Sequence, residues 1–301
     1  MHKVELKGLD GGNLLGYLAA LGTLRVLALS DPDGCIRMSW TRQGAWVPVL
    51  VSARLNDAEG VVRALEALVC GERTINRAWT IGNDLTLSRE EFAACLARDR
   101  DCDSQEPEFL AAFGSEAIGS GPRRERMSDT EFRTISGAGH QHFLGFMREL
   151  AKDTTREQIR TALFELWDYS DDRPSMRWDP ADYRPHALRA EDPSGDPIRT
   201  MKGANRLAVE ALPLFPTVAC DERRVRTIGF GDRDGRTEVS LPIWSEPLEL
   251  HTVKALLASG EIQQDKPDRP LMARRKIVQL FRVRRFTDGK YRNFTPARAL
   301  L

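Results

Sequence analysis

Apolar residues recur at helical spacing directly after the turn-forming stretch Asp10-Gly11-Gly12-Asn13: Leu14, Leu15, Leu18, Leu21, Leu24 and Val26, with small Ala19 and Ala20 between them. The pattern predicts a core helix near the start of the chain, with Asn13 placed to cap it. Cys35 to Trp40 and Ala45 to Val51 are β-rich runs on either side of the polar segment Thr41 to Gly44, which predicts a hairpin. A helix is expected over Asp57 to Val69. Ser88 with Glu91 is a capping-box signature and starts a further helix at Arg89, running to about Asp99.

The next stretch changes character. Asp99 to Glu108 is acidic and Gly119 to Arg126 is rich in Gly and Arg, so an exposed connection is expected there. A boundary near it divides the chain into an N-terminal α/β region, residues 1–118, and a C-terminal α+β region, residues 119–301, that ends in a basic tail. Helical patterns return at His140 to Lys152 and at Arg156 to Trp167, the second introduced by the capping box Thr155 and Gln158. Asp171 to Pro197 carries five prolines and many aspartates, which predicts a long loop; Trp178 and Tyr183 within it predict an ordered, functional loop. A helix from about Gly203 to Ala211 precedes strands near Arg224 to Phe230 and Thr237 to Pro242, with the hairpin signal Asp234-Gly235 between them. Glu249 to Ala258 is helical, and Asp288-Gly289 turns between the β-rich runs Arg282 to Thr287 and Lys290 to Phe294. No repeat of fixed period is visible. The class implied is α+β, mixed helices and antiparallel hairpins in one large domain or two small ones.

Composition narrows the setting. With 301 residues, 41% hydrophobic and 29% charged, the chain has enough apolar residues for a sizeable core and too few low-complexity stretches for a disordered or fibrous protein. The longest apolar run, Leu14 to Leu29, contains Tyr17, Thr23 and Arg25 and falls short of the roughly 20 residues a membrane helix needs. Met1-His2-Lys3-Val4-Glu5 lacks the basic-then-apolar order of a signal peptide. Cys35, Cys70, Cys95, Cys102 and Cys220 are scattered and without a two-residue gap, so they read as buried free thiols. Together these predict a soluble, cytoplasmic protein without membrane contact.

The motifs of common catalytic machines are missing. Gly289-Lys290 lacks the upstream glycine and the hydroxyl of a phosphate loop. Gly229, Gly231 and Gly235 have the wrong spacing for a dinucleotide fingerprint and lead into a strand, not a helix. His140 and His142 would point about 200° apart on a helix, so a cap or a packing role suits them better than a metal site. Asp171, Asp172, Asp179, Asp182, Asp192 and Asp196 are numerous enough to hold the metals of a nuclease, but Arg173, Arg177, Arg184 and Arg189 are interleaved with them, as in a salt-bridged loop. No nucleophile elbow is present. No cofactor and no metal are expected.

Charge placement says more than net charge, which is zero. Leu271 to Leu301 holds nine basic residues and one acidic residue, net +8, which leaves residues 1–270 at net −8. Arg274, Arg275, Lys276, Arg282, Arg284, Arg285, Lys290 and Arg292 are interleaved with Phe281, Phe286, Tyr291 and Phe294. Cations for phosphates and aromatic faces for bases make this a candidate nucleic-acid surface. Docking on the acidic remainder of the chain, or an amphipathic hairpin with its aromatics inward, would produce the same pattern. The alternation Arg282-Val283-Arg284 favours exposure of both arginines, and the adjacent Arg284 and Arg285 must point opposite ways, so one of them is expected in an internal ion pair or at a sheet edge.

Several stretches, taken in order, resemble a known family. They are Leu9 to Arg25; Arg177-Trp178-Asp179-Pro180; Ala187-Leu188; Asp192-Pro193-Ser194; Gly203-Ala204-Asn205-Arg206-Leu207-Ala208; Leu214-Phe215-Pro216; and Leu241-Pro242-Ile243-Trp244 with Pro247-Leu248. The family belongs to type I-G (formerly I-U) CRISPR loci and is described as an extension of the signature CRISPR helicase-nuclease. The resemblance implies a non-catalytic component or accessory of interference in antiviral defence. Its partners would be guide RNA or target DNA, the effector subunits and the helicase-nuclease. It singles out Trp178, Asp179, Asn205 and Arg206 as motif residues and implies no catalytic residue. The alternatives are a metal-dependent nuclease or hydrolase using the aspartates of residues 171–196, and an adaptor that touches only protein.

Overall fold

Helix α1, Leu14–Ser30, is apolar on every side and buried from Leu14 to Leu27, as a helix must be when it has no polar face to offer water. Asn13 caps it by accepting the Gly16 N–H at 3.1 Å. The turn before it is tied down as well: Asp10 Oδ1 accepts from the Gly12 and Trp46 backbone amides, and Gly11 N–H reaches the Trp46 carbonyl. The computed structural model describes residues 1–98, 105–135, 141–182, 199–288 and 291–301.

The elements around α1 form an α+β arrangement with antiparallel pairing throughout. Strands β1 (His2–Glu5), β2 (Arg37–Gln43) and β3 (Ala45–Ser52) lead into α2 (Ala58–Val69), α3 (Arg89–Arg98) and α4 (Glu106–Phe113). A small hairpin, β4 (Gly114–Ser120) and β5 (Arg126–Asp129), precedes α5 (Phe143–Asp153), α6 (Arg156–Phe164) and α7 (Lys202–Val209). Then come β6 (Thr217–Ala219), β7 (Val225–Thr227), β8 (Phe230–Arg233), β9 (Arg236–Trp244), β10 (Leu248–Glu249), α8 (Leu250–Leu257) and α9 (Arg269–Arg274). Strands β11 (Ile277–Asp288), β12 (Tyr291–Phe294) and β13 (Arg298–Ala299) complete the order. A four-stranded sheet runs β1-β3-β2-β10, and a five-stranded one runs β12-β11-β9-β8 with β13 also on β11.

Local signals in the sequence place most of these elements. Asp57 caps α2, Thr155 and Gln158 form a complete capping box on α6, and Ser88 and Glu91 exchange the reciprocal bonds at α3. Asp234 and Gly235 both take positive φ, 48° and 71°, in the two-residue turn that pairs Arg233 with Arg236. The β2–β3 turn is tighter than the polar segment predicts: Gln43 already pairs with Ala45, and Gly44 alone turns the chain at φ +79°. Arg42 lies over the Trp46 ring at 5.9 Å, so its polar side chain covers an aromatic rather than entering a loop. Residues 106–120, expected as connection, form α4 and β4, with Phe109, Leu110 and Phe113 buried.

One buried cluster extends from Val4 to Phe294 and takes residues from both sides of position 118. Tyr17 stacks on Trp40 at 5.4 Å, Trp40 meets Trp244 edge-on at 5.8 Å, and Trp244 Nε1–H donates to the Met38 carbonyl at 2.7 Å. These contacts join α1 to both large sheets. A smaller cluster of Ile262, Met272, Ile277 and Leu280 lies under α9. Among the described residues the thiols are unpaired, but only Cys95 is buried; Cys35 and Cys220 are at the surface, against the expectation of buried cysteines, because both sit at turns beside strand ends, and Cys102 lies outside the described residues. Among the described residues no helix is long and apolar enough to cross a membrane.

Candidate nucleic-acid interface

The residues of the basic tail do not form one surface. Strand β11 lies inside its sheet between β9 and β12, so one of its faces packs on the core and the other is partly covered. Arg274, Arg275 and Lys276 are exposed at the end of α9, where Arg275 pairs with Glu261 at 2.8 Å. Arg284 is exposed, opposite Glu238 on β9. Lys290 lies outside the described residues. Phe294 is buried against Phe132 and Phe230 at 6.4 Å from each, so it serves the core instead of offering a stacking face. Phe281 is half-buried against the same core.

Arg282 overturns the expectation of exposure. It is buried, and its Nη2 donates to the Ile262 and Gln264 carbonyls at 2.9 and 2.7 Å. Its Nη1 stands 3.9 Å from Glu238 Oε2, the same distance as Arg233 Nη1. Burial, reinforced by Arg233, pulls its pKa down to about 10. Alternation correctly separates Arg282 from Val283, but the segment holding Ile262 and Gln264 covers the outer face.

Arg285 and Arg292 meet at a different place. Arg285 pairs in register with Phe294 and Thr287 with Arg292, so the two arginines are diagonal neighbours on one face of the β11–β12 hairpin. They line a cavity of about 270 Å³ together with Arg223 from the β6–β7 turn and Ser120 and Ser128 from the β4–β5 hairpin. Asp129 and Glu131 also face it. Both carboxylates are engaged: Asp129 accepts from Arg133 Nη1 at 2.6 Å and lies 3.5 Å from Arg292 Nη1, and Glu131 accepts the Thr227 N–H at 2.8 Å. Arg133 is pinned a second time by Asp84 at 3.0 Å; burial pulls its pKa down, but Asp129 and Asp84 leave it raised.

Arg285 has no such partner. It makes a single long bond, Nη2 to the Arg133 carbonyl at 3.4 Å, and its buried Nε is without an acceptor. Among the described residues no carboxylate lies within ion-pair distance of it. Burial and the neighbouring Arg292 push its pKa down to about 10. The serine hydroxyls donate away from the cavity, Ser120 to the Met127 carbonyl and Ser128 to the Ile118 carbonyl, and the guanidinium groups are the charged donors on its lining. The chemistry suited to this arrangement is capture of an oxyanion by arginine.

The motif residues of the long loop hold the fold. Trp178 is fully buried, its ring near Phe132 and Phe143 and its indole N–H on the Phe132 carbonyl at 2.9 Å. Asn205 accepts the Met176 N–H at 2.8 Å and donates to Thr200 and Met201, which docks the loop on α7. Arg206 donates to the Val69 carbonyl, pairs with Glu210 at 2.7 Å and lies over the Trp79 ring at 5.0 Å. Asp179 accepts from Asn13, Tyr169 and Ala181. Asp171 accepts from Gln158 and the Lys202 N–H, and Asp172 pairs with Arg199, so each of these carboxylates faces its own partner. Among the described residues no group of three His, Cys, Asp or Glu side chains is placed to hold a metal. His142 stands at the N-cap of α5; His140, Tyr183, Arg184, Arg189, Asp192 and Asp196 lie outside the described residues.

Two features escape sequence reasoning. Arg223 belongs to the cavity although it is far from Arg285 in the chain, and nothing but pairing of the intervening strands brings them together. Arg25 is buried and shares Glu210 with Arg206, at 3.3 Å, while reaching Glu108 at 2.7 Å. Both arginines belong to stretches that carry the family resemblance, which is the one sequence signal linking them. No protein-family model matches this sequence, and no curated protein matches it.

Proposed function

We propose that this chain is a cytoplasmic, non-catalytic component of a type I-G CRISPR interference system, and that it holds a phosphate of guide RNA or target DNA in the cavity bounded by Arg223, Arg285 and Arg292. Arg285 carries this reading: it is a partly buried cation whose one hydrogen bond is a long contact to the Arg133 carbonyl, and it lines the cavity beside Arg223 and Arg292. Such a group destabilises the free protein, and an oxyanion would relieve it. In this role the protein supplies phosphate contacts, while base pairing between guide and target supplies sequence specificity. Effector subunits and the helicase-nuclease are the partners in this setting.

The stretches that carry the resemblance touch one another in the fold. Helix α1 packs on α7, Tyr17 O–H donates to the Pro242 carbonyl at 3.2 Å, and Asn13 Nδ2–H donates to Asp179 at 3.1 Å. Segments far apart in the sequence thus converge on one core.

The test is binding of fluorescent single-stranded RNA and DNA by anisotropy over a range of salt. Affinity should fall with salt at a slope of about −0.7 per phosphate contact and be weakened across all sequences alike by Arg223→Gln. Salt-insensitive or absent binding, alone and with the neighbouring gene products, would replace this reading with that of a protein-only adaptor.

A further inference from the structure

Counting charges around the cavity indicates which kind of phosphate it takes. Arg133, Arg223, Arg285 and Arg292 face or adjoin the cavity, and Asp84, Asp129 and Glu131 are the carboxylates set against them. One positive charge is left over. It falls to no single ion pair, because Asp84 and Asp129 are both taken up by Arg133, and Arg292 reaches Asp129 only at 3.5 Å.

The donor set has the same limit. Arg223, Arg285 and Arg292 line the cavity, and both serine hydroxyls on it present lone pairs because their protons go to backbone carbonyls. A second negative charge would exceed the one positive charge left over. It would also face Asp129 and Glu131 across a cavity of about 270 Å³, where water screens charge less than at an open surface.

Resting on the reading above, we infer that the cavity is selective for a singly charged internal phosphodiester and disfavours the dianionic phosphate monoester at a strand end. The three arginines then act as a clamp on the body of a strand, and Arg223 links the β6–β7 turn to the β11–β12 hairpin through the bound phosphate.

The experiment uses the full chain and 12-nucleotide single strands of one sequence, carrying either a 5′-hydroxyl or a 5′-phosphate. The two should bind within about twofold of each other, and Arg285→Met should lower affinity for both equally while reducing the salt slope by about one contact, roughly 0.7. Arg223→Gln, in an exposed turn that cannot unfold the sheet, should do the same, whereas Arg63→Gln on α2 should change neither. Tighter binding of the 5′-phosphorylated strand by about tenfold, lost in Arg285→Met, would assign the cavity to a terminal monoester and overturn this inference while leaving nucleic-acid binding intact. Binding that Arg285→Met and Arg223→Gln leave unchanged would overturn it by placing the contacts elsewhere. Failure of every strand to bind would remove the underlying reading as well.

Discussion

Gly22 of α1 lies directly against the backbone of Leu207 on α7: a Cβ at position 22 would come within 1.8 Å of the Leu207 carbonyl oxygen. The two helices cross at this point with no room for a side chain, and neither can move away, since α1 is enclosed on its other sides. Gly22→Ala should therefore destabilise the protein by about 3 kcal/mol through forced displacement of backbone. Urea denaturation measures it, and a loss below about 1 kcal/mol would show that the crossing is looser than described.

Glu210, just past α7, is the carboxylate that Arg25 and Arg206 share, and all three side chains are nearly inaccessible to water. Glu210→Gln keeps the shape and removes the charge, leaving two buried guanidinium groups with only the half-exposed Glu108 on Arg25. A loss of about 3 kcal/mol is expected, because breaking a buried ion pair costs far more than the pair contributes. The same denaturation experiment checks it.

Arg285→Met should have the opposite sign. Removing a desolvated cation without an ion-pair partner should raise stability by about 1 kcal/mol while weakening nucleic-acid binding, the trade expected of a binding residue and not of a structural one. The pH dependence follows from its lowered pKa. The folded state gives up the Arg285 proton near pH 10, below the ordinary arginine value, so the penalty is complete below about pH 10 and shrinks as pH rises from there. The stability gap between the two proteins should narrow over that interval in thermal melts.

Glu91 is exposed, and the Ser88 backbone N–H, followed by the Ser88 hydroxyl interaction, holds its carboxyl below the ordinary value of 4.5. The stabilisation this gives α3 is present above pH 4.5 and lost as pH falls through the lower folded value. NMR titration should find the Glu91 midpoint below 4.5 in the native protein and closer to it in Ser88→Ala, which removes the hydroxyl half of the box.

Much of the fold is legible because its signals are local. Asn13, Asp57, Ser88 with Glu91 and Thr155 with Gln158 each stop or start a helix through bonds spanning three residues. What could not be read is decided by distant partners. Helix α4 is eight residues long, too short for its Phe109, Leu110 and Phe113 to establish a period, and β4 is made of Gly, Ser, Glu, Ala and Ile that become a strand only opposite β5. Arg282 and Arg285 look alike in a list of basic residues. One is buried by carbonyls from residues 262 and 264, the other opens on a cavity completed by Arg223, and the sequence carries no mark of either partner.

The position of β11 also has a consequence for synthesis. Strand β9 is complete at Trp244, but the strand that covers its edge does not begin until Ile277. On the ribosome, the β9 amides and carbonyls facing β11 wait unpaired through the translation of α8 and α9, together with the aromatic surface that Phe294 later closes over Phe132 and Phe230. The nascent chain thus exposes a sheet edge beside a greasy patch until β11 and β12 emerge. The Arg285 and Arg292 side of the cavity forms in the same step, when β11 and β12 pair.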